Sequence, residues 1–150
     1  FDDIYYHRFE TAINNVASVY QLKSIEGRLF KPDLYATLGD TVKIMFDILG
    51  YQYSNNYMLE AAKAGLIENR EVSRQVRNCT VDEVYEMMIK VYELKTGEVL
   101  GHKERQEFIK ENGMVLVREN GRIAEGGSEI TRGEVVWLLE KLLVYTGELY

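Results

Sequence analysis

Apolar residues recur along this chain at helical spacing, and polar, glycine-bearing stretches separate them. Phe9, Ile13, Val16, Ala17 and Tyr20 form one stripe, which predicts a helix from about His7 to Leu22. Val42, Met45, Phe46 and Leu49 follow i, i+3, i+4, i+7 and stop at Gly50. Asn55 or Asn56 can cap a short helix carrying Met58, Ala61 and Ala62, which ends at Gly65. Val81, Val84, Tyr85 and Met88, then Val91 and Tyr92, mark a longer one that ends at Gly97. Val135, Leu138, Leu139 and Leu142 mark the last, which ends at Gly147. Between these lie a loop from Lys23 to Ala36 with Gly27, Phe30 and Pro32, and a charged stretch, Lys103 to Glu111, with Phe108 and Ile109 as its apolar contacts. Met114-Val115-Leu116-Val117 is β-prone and Asn120-Gly121 is a tight-turn pair, so a small hairpin is predicted over 114–124.

Three of the helices open on the same string. Thr37-Leu38-Gly39-Asp40, Thr80-Val81-Asp82-Glu83 and Thr131-Arg132-Gly133-Glu134 all read Thr-x-x-acid. In such a capping box the Thr hydroxyl accepts from the backbone N–H three residues on, and the acid there reaches back to the Thr N–H. One box is a common helix start, whereas three, each followed by a helix that stops at glycine, indicate a repeated unit. The units span roughly 1–51, 52–100 and 101–150, and their unequal spacing reflects loops of different length. No unit is large enough to bury its own stripe, so the three are expected to share one core. The predicted fold is mainly α: three helix–loop–helix units in a single pseudo-threefold bundle.

Composition narrows the function. With 46% apolar and 28% charged residues the chain has globular character, and its net charge of -6 argues against nucleic-acid or anionic-membrane partners. No apolar run reaches the length of a membrane span and no signal-peptide pattern is present; the start at Phe1 reads as a mature or excised fragment. Cys79 is the only cysteine, expected to be a buried small hydrophobe. His7 and His102 are the only histidines, and neither belongs to a nucleophile–base pattern. Metal-binding, phosphate-loop and dinucleotide motifs are absent, so neither an enzyme nor a cofactor is expected.

The order of these strings resembles the S-layer homology (SLH) domain of bacterial surface proteins. Phe1-Asp2-Asp3-Ile4 is similar to that family's opening Phe-x-Asp-Val/Ile, and His7 to Ile13 to its first-helix signature, with Arg8 where the family has Trp. Gly27 to Pro32 resembles its Gly-x-Phe-x-Pro loop, Ala61 to Ile67 the end of its first helix, and Ile130-Thr131-Arg132-Gly133-Glu134 its Ile-Thr-Arg-Ala-Glu signature. The resemblance implies a three-unit helical spindle on the bacterial cell surface. Its inter-unit grooves would bind secondary cell-wall polysaccharide, including pyruvylated forms, without a covalent bond. The signature arginine, here Arg132, would be the principal contact, with Thr131 and Glu134 holding its helix start.

The chain departs from that pattern where the arginine is concerned. Leu38 and Val81 stand in its place in the first two units, which reduces three candidate grooves to one. Arg28 and Lys31 near the first groove, or Arg77 near the second, are candidate substitutes. Asp3 has two readings, a groove residue or a cap of the first helix. Trp137 can stack on a sugar or sit in the core. The alternative partner is a surface protein, docked on a degenerate SLH scaffold through the apolar residues at the helix starts.

Overall fold

The computed structural model describes residues 1–149 and is mainly helical, as the pattern predicts. Its helices are α1 (Glu10–Val19), α2 (Leu38–Leu49), α3 (Tyr57–Ala64), α4 (Val81–Thr96), α5 (His102–Glu111) and α6 (Arg132–Tyr145), with a short 3-10 turn at Asn69–Glu71. No helix among the described residues is long and apolar enough to cross a membrane.

The three Thr-capped helices build the centre. Val42 and Met45 of α2, Val84 and Met88 of α4, and Val135, Leu138, Leu139 and Leu142 of α6 are all fully buried in one cluster. Helix α4 packs on both α2 and α6. The remaining helices pack outside, α1 on α6, α3 on α2 and α5 on α4. Each outer helix brings a few apolar residues to the cluster, such as Ile13 and Val16 of α1 or Phe108 and Ile109 of α5.

The helix ends follow local chemistry. Gly50, Gly65 and Gly97 adopt the left-handed conformation that terminates α2, α3 and α4 without a Cβ penalty. Helix α1 is shorter than the stripe predicts. At its start the Phe9 N–H donates to His7 Nδ1, which holds residues 7–9 in a turn. At its end Tyr20 is extended, with its hydroxyl on Glu148 and Lys95. The 114–124 segment forms a minimal antiparallel hairpin around the Asn120-Gly121 turn, too short to make strands of a sheet. Val117 pairs with Ile123 in an isolated bridge and Ala124 N–H donates to the Leu116 carbonyl at 2.9 Å.

The capping boxes are complete at α4 and α6 and half-made at α2. Thr37 accepts from the Asp40 N–H at 3.1 Å, but Asp40, one carbon shorter than glutamate, does not reach back to the Thr37 N–H.

The residues before each Thr join the units. Ala36 N–H donates to the Ile130 carbonyl, Ile130 N–H to Cys79 and Cys79 N–H to Ala36, at 2.9, 3.2 and 2.8 Å, which closes a ring of three hydrogen bonds. Around it, the first two N–H groups of each Thr-capped helix donate to the loop of another unit. Leu38 and Gly39 bond the carbonyls of Arg77 and Gln75, Val81 and Asp82 those of Ser128 and Gly126, and Arg132 and Gly133 those of Leu34 and Pro32. The acceptors lie three and five residues before a capping threonine in every case. The three joints are therefore made of the same bonds, and the last one returns the third unit to the first.

Candidate functional site at the junction of the first and third units

The loop that covers the start of α6 carries two of the candidate site residues, Arg28 and Lys31, and a third, Asp3, holds it in place. Asp3 fastens it: its two carboxylate oxygens accept from the backbone N–H groups of Phe30 and Lys31, both at 2.7 Å. Burial opposes ionisation of Asp3, but these two donors outweigh it and hold the carboxyl below its usual range. Asp3 therefore does not cap α1, whose N-cap residue is Phe9. Lys31 is exposed, has no carboxylate partner among the described residues, and adopts a left-handed φ of 57°. Arg28 is exposed and committed to Asp2, with Nε 2.8 Å from the carboxylate. On the far side of the loop, Asp33 Oδ1 lies 2.8 Å from His7 Nε2.

Beneath the loop, Phe30 is fully buried with Phe1 edge-on to it at 5.3 Å between ring centres. The Arg132 guanidinium lies over the Phe30 ring, its carbon 5.6 Å from the centroid. That placement suits a guanidinium, which is weakly hydrated and attracted to an aromatic face. Arg132 Nε is buried and has no hydrogen-bond partner among the described residues. Among the described residues, Arg122 and Arg132 are the arginines without an ion pair, and Arg122 is exposed.

Thr131 and Glu134 serve the helix rather than the surface. Thr131 Oγ accepts from the Glu134 N–H at 3.2 Å, and Glu134 accepts from the Thr131 N–H at 2.9 Å and from Arg118 Nε at 3.0 Å. On this side of the helix start, Thr131 and Glu134 line a cavity of about 400 Å³ together with Arg8, Phe9, Asp33 and Arg118. Arg8 lies over the Phe9 ring at 4.5 Å and donates to the Val117 carbonyl at 3.2 Å.

The chain gives no match to any family model or to any of the curated proteins with which it was compared.

This geometry limits what the helix starts can offer, and it corrects two expectations drawn from the sequence, the apolar docking face and Arg77 as a substitute cation. The start of α6 does not offer open N–H groups to an anion, because the first two donate to Leu34 and Pro32 and the third to Thr131 Oγ. Leu38 and Val81 are each 0% exposed, so they belong to the core and present nothing to a protein partner. Arg77 is no substitute cation either: Glu83 and Glu71 both hold it. Trp137 is half-buried on the rim of the core, with Lys141 Nζ 4.7 Å from its ring centre.

Arg118 is the residue that sequence reasoning missed. It binds Glu134, the Ser128 hydroxyl and the Glu129 carbonyl, and so supports the α6 cap as Arg77 supports that of α4. Arg77 lies three residues before its threonine, a spacing that can be read, whereas Arg118 arrives from the 118–122 turn. No group of three or more His, Cys, Asp or Glu residues suited to a metal ion occurs among the described residues.

Proposed function

We propose that this chain is an SLH-like, non-catalytic module that attaches a secreted bacterial protein to the cell wall. It would bind acidic secondary cell-wall polysaccharide at the junction of the first and third units. The observation that carries this reading is the Arg132 guanidinium, held on an aromatic ring with no carboxylate among the described residues to neutralise it. A guanidinium offers a planar fork of donors that matches a carboxylate, such as that of a pyruvylated sugar. Lys31, in the same loop as Phe30, adds a second uncommitted charge. The repeated hydrogen bonds at the three joints support the pseudo-threefold organisation that this reading requires.

The reading includes one groove and not three. The arginine position is filled by core leucine and valine in the other two units. Because the net charge of -6 repels an acidic polymer, attraction is local and weakens with salt.

The test is a pull-down on purified sacculi with and without their secondary polymer. The native chain is expected to bind only polymer-bearing sacculi, less so at high salt, and Arg132→Ala to lose that binding. Failure of the native chain to bind overturns the proposal.

A further inference from the structure

Two of the three helix caps show how this fold holds a guanidinium. At α4, Arg77 donates to the carbonyl of Asn78, two residues before Thr80, at 3.2 Å and to the carboxylate of Glu83 at 2.8 Å. At α6, Arg118 donates to the carbonyl of Glu129, two residues before Thr131, at 2.7 Å and to Glu134 at 3.0 Å. The acceptor pair is the same although the two arginines reach it from different parts of the chain.

The start of α2 carries a carbonyl and a carboxylate at the same two positions relative to its threonine, Tyr35 and Asp40, and no arginine. The carbonyl of Tyr35, two residues before Thr37, accepts no hydrogen bond from the described residues, and the Asp40 carboxylate has neither a hydrogen bond nor an ion pair with them. Leu34 stands where Arg77 stands in the second unit. The nearest lysine along the helix, Lys43, is turned onto the Tyr57 ring at 4.7 Å. Apolar side chains border the acceptors: Leu34 is 51%, Tyr35 50% and Val76 82% exposed. Val76 lies between Gln75 and Arg77, whose carbonyls cover the α2 start.

We propose that the start of α2 binds an arginine side chain of a protein partner, flanked by an apolar residue of that partner. A planar guanidinium can bridge a carbonyl and a carboxylate together, which a lysine ammonium cannot match. The apolar border suits a polypeptide better than a free small cation. The overall negative charge favours approach of a basic segment. The acceptors differ from the Arg132 and Lys31 side chains, so this site stands or falls separately from wall attachment.

The experiment titrates the isotopically labelled full chain with the dipeptide Ac-Leu-Arg-NH2 and with its citrulline counterpart, read by amide chemical shifts. The arginine peptide is expected to shift the amides of Thr37, Asp40 and Val76, and the uncharged citrulline peptide is not. Asp40→Asn is expected to abolish the shifts. Leu34→Arg is expected to suppress them independently, by supplying the guanidinium from within the chain. Equal shifts with citrulline, unchanged shifts in either variant, or none in the native chain would overturn the proposal. Sacculus binding by Asp40→Asn is expected to equal that of the native chain.

Discussion

Two glycines at the second position of a Thr-capped helix set a contest between local preference and tertiary contact. By helix propensity alone, Gly39→Ala or Gly133→Ala would stabilise by about 1 kcal/mol. The surroundings reverse this. A Cβ at Gly133 would lie 2.6 Å from Phe9 Cδ2 and 3.0 Å from the Pro32 carbonyl, and one at Gly39 would lie 2.6 Å from the Tyr57 hydroxyl and 3.0 Å from the Gln75 carbonyl. Those backbone carbonyls are the ones that accept from the same glycines, so they cannot retreat without breaking the joint. Gly133→Ala is therefore expected to destabilise by about 1–3 kcal/mol in urea denaturation, the usual range for overpacking. Gly39→Ala is expected to cost less when combined with Tyr57→Phe, which removes the closest atom. The second unit reverses the arrangement: its helix carries Asp82, whose carboxylate lies where a side chain on Gly126 would go.

At the scale of the helix, the caps of α4 and α6 are ion pairs as well as hydrogen bonds. Burial raises the pKa of Glu83, but the hydrogen bonds from Arg77 and from the Thr80 N–H outweigh it, so its folded value lies below the ordinary 4.5. A carboxyl lowered on folding stabilises above its unfolded pKa, and that contribution is lost as pH falls through the folded value. Glu93 and Glu148, also lowered, act in the same direction. Thermal stability is expected to drop on acidification below about pH 4.5, and Glu83→Gln to flatten that drop while lowering stability at neutral pH. Thr80→Ala and Thr131→Ala are each expected to cost about 1–2 kcal/mol in chemical denaturation, the range for a lost N-cap.

For the whole molecule, the exchange of helix starts and loops makes the units interdependent. The first unit supplies the Pro32 and Leu34 carbonyls that satisfy α6, and α1 packs along that helix. Buried donors left without acceptors cost about 1–3 kcal/mol each, and loss of α1 uncovers the apolar face of α6 as well. A fragment spanning 52–150 is therefore expected to show no cooperative urea transition. Addition of 1–51 in trans is expected to restore one. A sharp transition in the fragment alone would show that the closing joint is dispensable.

The starts of α2, α4 and α6, the glycine stops of α2, α3 and α4, and most of the core were legible along the chain because each depends on neighbours within a turn or two. The threonine caps, the left-handed glycines and the apolar stripes of α2, α4 and α6 are of this kind, whereas the ends of α1 and the helical state of α5 were not legible. The single arginine at a capped helix start was also legible, as a missing residue in two units and a present one in the third. What only the folded chain decided are contacts between residues distant in sequence. The starts of α2, α4 and α6 are covered by loops of other units. Leu38 and Val81 therefore point into the core, Arg118 comes from a turn to support α6, and the same acceptors at α2 lack a guanidinium. Such facts depend on which carbonyl or carboxylate stands across a joint, and no periodicity records that.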